Sequence, residues 1–196
     1  MPETTSATLS LSGDDEADKL LGADPLALLI GMVLDQQVPL EWAFKGPLML
    51  RERLGGRLDA GEIAAMDPEQ LAKAFSQRPA LHRFPGSMAK RTQELCAHLV
   101  ERYGGDATGV WKNAKTGDQV FANVRALPGF GEQKARIFVA LLGKQLGVRP
   151  SGWEQAAGDY GKPGVFMSVA DITSPETLAR VREYKKAKKA AAKAKG

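Results

Sequence analysis

Apolar residues recur at three- and four-residue intervals along most of the chain, and no segment shows the alternation expected of a strand. The segment LALLIGMVLDQQV, from Leu26 to Val38, is apolar almost all round in its first nine positions. It follows Asp24 and Pro25, a helix cap and a proline suited to the first helical position. This pattern predicts a central core helix in an all-α protein of eight to ten helices.

Capping residues and glycine pairs set the expected ends of the other helices. Asp59 and the Asp67-Pro68 pair each precede a short amphipathic segment, and Ser174-Pro175 precedes the last one. Ser87 and Asp118 are the predicted starts of two further helices. The helices predicted from these signals span 17–22, 40–54, 60–66, 69–75, 88–103, 119–127, 132–146 and a final segment from 175.

The composition changes at both ends of this pattern, which predicts three regions. Residues 1–16 are polar and acidic and are expected to be flexible, 17–184 to form one helical domain, and 185–196 to form a frayed basic tail. Within the domain, 147–164 is rich in glycine, proline and polar residues, which predicts a long loop with one helical turn at 153–157. Loops of that length are usually functional or disordered.

The net charge of +4 is concentrated at the C-terminal end. The first 18 residues carry five acidic residues and no basic one, whereas 180–196 carries eight basic residues and one acidic residue. A basic tail predicts an anionic polymer as partner, although a solvated helix end that aids solubility has the same composition.

Cysteine and histidine are scarce, and this limits the chemistry. The single cysteine, Cys96, excludes an internal disulfide, a Cys-ligated zinc and a four-cysteine iron–sulfur cluster, and is expected to be a buried thiol in a reducing compartment. His82 and His98 are too few for a metal site, so no metal and no cofactor are expected. No signal peptide and no apolar run of about 20 residues is present, which predicts a cytoplasmic protein without membrane contact.

A glycine turn stands out in LPGFGEQKARIFVALLG, between Leu127 and Gly143. Gly129 and Gly131 permit a tight turn, and the helix that opens at Glu132 has backbone N–H groups without intrahelical partners. Such a turn can hold one phosphate group. An ordinary interhelical turn has the same pattern.

The sequence LPGFGEQKA resembles the helix–hairpin–helix of the HhH-GPD superfamily of base-excision DNA glycosylases. Two further segments, DPLALLIGMVLDQQV and SMAKRTQELCAHLV, are similar to helices that precede the hairpin in that family. The resemblance implies a two-lobed helical fold, a monomer and a double-stranded DNA partner at the nucleoid. The small, cluster-free form is typical of actinobacterial-type members.

The resemblance also implies chemistry, from which this chain departs. The family aspartate that assists cleavage of the base–sugar bond would fall near Ser151, where no carboxylate is present. Many members carry a lysine two residues beyond the last hairpin glycine, but Gln133 stands there. Lys134 follows, rotated by about 100° on the helix, and is expected to meet a phosphate or solvent. The implied activity is base removal without strand cleavage, with alkylated purines favoured.

Two downstream aspartates are candidates for the missing carboxylate. Asp171 follows an apolar stretch and precedes a helix, as family aspartates do, and is the preferred catalytic residue. It could equally be a helix cap that binds nearby amides. Asp159, in AAGDYG, is the second candidate, although a turn residue is the more common role for an aspartate in that setting.

The remaining site residues are assigned by their position in the family pattern. The predicted DNA contacts come from the hairpin and from Gln37, which would fill the space left by the extruded base; they are Gly129, Phe130, Gly131, Glu132, Gln133, Lys134 and Gln37. Gln36 is expected to bond backbone. Trp42, Trp153 and Tyr160 are the preferred aromatics for a base pocket, with Phe44, His82 and Phe84 considered beside them. Two other functions stay open, a non-catalytic module for distorted duplex DNA and a helical protein-interaction subunit.

Overall fold

The computed structural model of the chain describes residues 8–195, and in that part the regular structure consists of helices and 3₁₀ turns. The all-α prediction is therefore confirmed. Two short 3₁₀ turns, Gly158–Gly161 and Val169–Asp171, lie between the last helices. The helices are α1 (Asp15–Ala23), α2 (Pro25–Leu34), α3 (Leu40–Arg53), α4 (Ala60–Ala65), α5 (Pro68–Ser76), α6 (Pro85–Tyr103), α7 (Gly109–Lys112), α8 (Gly117–Arg125), α9 (Glu132–Gln145), α10 (Trp153–Ala157) and α11 (Pro175–Ala194).

Helix α2 is the central core helix that its apolar sequence predicts. Every residue from Leu26 to Leu34 is buried, and the Asp24 carboxylate caps the helix by accepting from the backbone N–H of Leu26 and Ala27. Its neighbour α3 packs so closely that a Cβ on Gly31 would lie 2.7 Å from the Phe44 ring. Phe44 is fully buried, so it belongs to the core and to no base pocket.

Besides that of α2, the predicted caps are correct at three helices and wrong at two. Asp59, Asp67 and Ser174 each accept a bond from a backbone N–H of the first turn. The helix predicted to start after Ser87 begins earlier, at Pro85, because proline fits the first helical position. The helix predicted to start at Asp118 is capped by Thr116, whose hydroxyl accepts from Gln119 N–H at 3.2 Å. Helix α7 was not predicted.

The residues before α1 pack onto the core, which corrects the expected flexible segment 1–16 as far as it is described. Leu9 and Leu11 are buried, and the Asp18 carboxylate accepts from the backbone N–H groups of Leu11 and Ser12. Residues 1–7 of that segment lie outside the described residues. The prediction was based on the polar and acidic composition of the segment and did not consider Leu9 and Leu11, which anchor it.

The loop at 147–164 is ordered against α8 and α9. Its helical turn is confirmed as α10, and the backbone of Ser151 pairs with that of Thr116 in an isolated parallel bridge. Two glycines make this close packing possible. A Cβ on Gly117 would lie 2.5 Å from the Gly152 carbonyl, and a Cβ on Gly143 would lie 2.3 Å from the Trp153 ring.

Helix α11 continues without a break through the basic end to Ala194, where the sequence predicts a separate tail from residue 185. The Val181 side chain of this helix is buried in the core, and the guanidinium carbon of Arg180 lies 4.7 Å from the centroid of the Phe166 ring. The lysines of this end are therefore spaced as on a helix.

Cys96 is fully buried on α6, as predicted, and burial raises the pKa of its thiol to about 12. The thiol is therefore un-ionised at neutral pH and unreactive. No helix in the described range combines the length and apolar character needed to cross a bilayer.

Candidate nucleic-acid interface

A cleft of about 340 Å³ opens beside the hairpin. It lies between the turn that joins α2 to α3, the first turns of α9, the two 3₁₀ turns and α11. Its volume is within the range of small-molecule sites. Its lining combines three lysines, three glutamines, one tyrosine and one carboxylate with an apolar floor, and comprises Met32, Asp35, Gln36, Gln37, Val38, Gln133, Lys134, Ile137, Tyr160, Met167, Ser168, Val169, Lys185 and Lys188.

The two glycines of the hairpin, Gly129 and Gly131, differ in backbone conformation and in the space around them. Gly129 has φ +90°, which disfavours any side chain, and a Cβ there would lie 3.3 Å from both Arg91 and Val33. Gly131 precedes α9 with open space around it, and no side chain caps this helix. The first N–H groups of α9 thus remain available to an anion.

Two of the predicted DNA contacts in the hairpin are corrected by their surroundings. Phe130 is buried and meets the edge of Phe138 at a centroid distance of 6.0 Å, so its side chain anchors the turn and does not reach DNA. Glu132 forms an ion pair with Arg136 at 2.9 Å, which lowers the pKa of its carboxyl group. Only the backbone N–H of Glu132 suits a phosphate.

Gln133 and Tyr160 meet at the mouth of the cleft. The Gln133 side-chain amide donates to the Tyr160 hydroxyl at 2.9 Å. Because Tyr160 comes from the 158–161 turn, this bond joins α9 to the ordered loop. The sequence prediction that Tyr160 lies at the site is consistent with this position.

Lys134 also lines the cleft, together with Asp35 at the C-terminal end of α2. That Lys134 meets a phosphate or solvent, as the sequence indicates, stays a prediction. Burial lowers the pKa of Lys134, and the charge of Asp35 opposes this shift. Burial raises the pKa of Asp35, against the charges of Lys185 and Lys134.

The turn after α2 is held in an unusual conformation. Gln37 has φ +56° and is the one non-glycine residue with positive φ among residues 8–195, which marks a constrained turn. Gln36 donates to the Val33 carbonyl at 3.1 Å, as predicted for a structural glutamine. Buried His82 accepts from Phe84 N–H through Nδ1 and donates through Nε2 to the Gln36 carbonyl at 2.8 Å. Gln37 is thereby presented, exposed, at the cleft.

The carboxylate of Asp171 is already bound within the protein, which corrects the preferred catalytic assignment. Its carboxylate forms a 2.6 Å ion pair with Lys144 and accepts from the backbone N–H of Met167 and Ser168. The side chain is only 4% exposed. Asp171 is absent from the cleft lining, and its carboxylate fixes the chain before α11 by binding the backbone of two residues that do line the cleft.

Asp159, the second candidate for the catalytic carboxylate, is also outside the cleft lining. Its side chain is exposed and pairs with Lys162 at 2.8 Å, which lowers the pKa of its carboxyl group. An exposed ion pair within a turn is typical of the ordinary turn aspartate that its sequence setting favours.

Three aromatic residues considered for the base pocket do not line the cleft either. Trp153 packs on Gly143 and below Arg149, so its ring is used in packing the loop. Trp42 is half-buried on α3 and absent from the lining. Phe84 is 41% exposed, beside the arginine that precedes it.

Three charged residues of the cleft were not singled out from the sequence, namely Asp35, Lys185 and Lys188. The available signal for Asp35 was an acidic residue directly after nine buried apolar positions, where a polar residue must either be solvated or serve a site. Nothing in the sequence indicated that α11 places Lys185 and Lys188 near the C-terminal end of α2. Within residues 8–195, no three His, Cys, Asp or Glu side chains converge as a metal ion would require.

Comparison with known proteins defines the family. The sequence profile of HhH-GPD superfamily base excision DNA repair proteins matches residues 30–195. A search among curated proteins finds no match. Among solved structures, the chain is similar to a trapped endonuclease III–DNA covalent intermediate, an estranged-adenine complex, at 24% identity and a TM-score of 0.43. That alignment covers 64% of this chain and 55% of the other, so the chain spans about half the length of that protein. The profile match covers most of the sequence, and the chain belongs to the HhH-GPD superfamily of base excision DNA repair proteins.

Proposed function

We propose that this protein is a monomeric DNA glycosylase that releases a flipped, damaged base from duplex DNA without cutting the strand. The observation that carries the proposal is the cleft beside the hairpin, in which an apolar floor, three lysines and a single carboxylate are brought together. Enzymes that act on a base in duplex DNA extrude it into such a pocket. Its binding to chromosomal DNA would make the protein nucleoid-associated.

The parts of the cleft suit the parts of a flipped nucleotide. The open N–H groups at the start of α9 suit a phosphate, and Lys185 and Lys188 suit the neighbouring phosphates of the strand. The side chains of Met32, Ile137 and Met167 offer an apolar surface to the base. Exposed Gln37, on its constrained turn, is suited to fill the gap in the duplex.

N-alkylated purines fit this cleft best as the damaged base. Their positive charge makes them good leaving groups, because the base departs neutral and needs no proton. Among the described residues that line the cleft, Asp35 is the one carboxylate, so a second carboxyl group to protonate the base is lacking there. A site of this kind depends on a base that is already activated.

We base the proposed absence of strand cleavage on the residue at the family lysine position. Strand cleavage needs an uncharged amine that attacks the first carbon of the sugar. Gln133 occupies the position of the family lysine, and a carboxamide cannot form such a covalent bond. We therefore expect borohydride to trap no covalent complex with abasic DNA. A trapped complex that is lost in Lys134→Ala would contradict this assignment.

A screen of duplex oligonucleotides tests the proposed function. Each duplex carries one lesion and is treated with alkali after incubation with the protein, because alkali cuts the strand at the abasic site that base release leaves. We expect cleavage only after alkali, and first with duplexes carrying N-alkylated purines. Tight binding of a distorted duplex without cleavage on any lesion would instead support the non-catalytic DNA-binding module.

The lysines of α11 give a separate prediction about affinity. Lys185 and Lys188 line the cleft, whereas Lys186 and Lys193 lie on a different face of the same helix. Each phosphate contact contributes about 0.9 to the slope of log K against log salt concentration, so Lys185→Gln with Lys188→Gln should reduce the slope by about 1.8. The matched Lys186→Gln, Lys193→Gln variant should keep the slope. Equal slopes for both variants would show that α11 does not approach DNA through the cleft.

A further inference from the structure

Asp171, the catalytic residue preferred from the sequence, is paired with Lys144. A catalytic carboxylate in the cleft must therefore come from another residue. Asp35 is the carboxylate of the cleft lining and lies at the C-terminal end of α2. Unlike that of Asp171, its carboxylate is bound by no hydrogen bond from residues 8–195, and its surroundings act on it only through burial and charge. A half-buried carboxylate that lines a cleft and accepts no hydrogen bond from the protein is available to a ligand.

The charges that face Asp35 come from two helices packed around it. Lys134 from α9 and Lys185 from α11 both favour its ionised form, and Arg91 of α6 acts on Lys134. The remaining titratable groups of the cleft or of the turn beside it are Lys188, Tyr160 and His82. The charges of the two lysines therefore oppose the effect of burial, which is the larger one and raises the pKa of the Asp35 carboxyl group.

We propose that Asp35 is the catalytic carboxylate of this protein, facing the sugar of the flipped nucleotide in the cleft that it shares with Lys134 and Lys185. This inference rests on the proposed glycosylase function. It differs from the family pattern, because it moves the carboxylate from the segment after α9 to the turn after α2.

The reaction assigned to Asp35 is a hydrolysis, and water is the only co-reactant that it needs. The bond between the sugar C1′ and the base nitrogen breaks, and its electron pair leaves with the base, which changes from cationic to neutral. The Asp35 carboxylate stabilises the positive charge that develops on the sugar. Water then adds to C1′, and its proton passes to Asp35 and on to solvent.

The first test measures charge recognition and does not require the natural lesion. Duplexes carry either a neutral tetrahydrofuran abasic analogue or a cationic pyrrolidine analogue that mimics the charged sugar. The wild-type protein should bind the pyrrolidine duplex more tightly, and Asp35→Asn should lose about 100-fold of that preference, in line with removal of one preorganised electrostatic group. Asp159→Asn, which also replaces a carboxylate by an amide, is the matched control and should keep the preference.

The second test measures base release in single turnover against pH. Because burial raises the pKa of Asp35, the rate should fall on the acidic side at a pH above the ordinary aspartate range. Lys134→Met removes a charge that lowers this pKa, so the acidic limb should move to higher pH, and Lys134→Arg should restore it. If Lys134 had a purely structural role, Lys134→Met would change the rate of base release without shifting the acidic limb of its pH profile.

The outcomes separate the two proposals. A wild-type protein that binds abasic duplexes no better than undamaged DNA and releases no base would overturn the glycosylase function, and with it this inference. A wild-type protein that releases base, together with an Asp35→Asn variant that keeps both the rate and the preference for pyrrolidine, would overturn the role of Asp35 alone.

Discussion

Asp171→Asn is expected to lower the free energy of unfolding by about 3 kcal/mol, because it leaves a buried lysine without its counter-charge. Lys144 is 16% exposed and its partner 4%, so water replaces little of the lost interaction. For a chain of this size the loss corresponds to a drop of about 9 °C in Tm. Urea unfolding followed by circular dichroism measures it.

Two controls distinguish this loss from a catalytic role for Asp171. Adding Lys144→Met to Asp171→Asn should recover much of the stability, since an apolar side chain of similar length removes the unpaired charge. Asp159→Asn, at an exposed ion pair, should leave the free energy of unfolding almost unchanged.

At a temperature where Asp171→Asn is folded, its rate of base release should equal that of wild type. A stable Asp171→Asn variant without base release would return the catalytic role to Asp171.

Gly143→Ala is expected to destabilise the protein by about 3 kcal/mol, although alanine normally stabilises a helix relative to glycine. The added Cβ would lie 2.3–2.7 Å from atoms of the Trp153 ring, which must then move. Trp153 begins α10, and the chain that follows it carries Tyr160 to the cleft. Thermal unfolding measures the loss of stability.

The control for this prediction is a helical glycine with space around it. Gly86 in α6 has nothing within 4 Å of an added Cβ, so Gly86→Ala should be neutral or slightly stabilising. Trp153→Leu combined with Gly143→Ala should cost less than the sum of the two single changes, because the clash is shared. Additive effects, or a neutral Gly143→Ala, would contradict the close packing of Gly143 against Trp153.

The helices were predictable because their signals are local. Asp24, Asp59 and Asp67 each precede a helix and cap it, and the apolar run of α2 allows no position but the core. The starts at Ser87 and Asp118 were predicted wrongly because a neighbouring residue, Pro85 or Thr116, supplies a stronger signal. Local rules identify a helix more reliably than its first residue.

The site was less predictable because it is built from contacts between distant segments. Asp171 and Asp35 both follow apolar residues, but only the fold shows that Lys144 pairs with one and that α9 and α11 bring lysines to the other. The ordered loop likewise depends on Gly143, whose small size has meaning only beside Trp153. The hairpin motif, in contrast, is contiguous, and it identified the family correctly.

The central claim is that the cleft of this protein removes a damaged base. Chromatography and mass spectrometry of the small molecules released from methylated duplex DNA test it most directly. Wild-type protein is expected to release free N-methylated purine and to leave the strand intact, and Asp35→Asn to release it about 100-fold more slowly. Methylated DNA that binds the protein but yields no free base would contradict the claim.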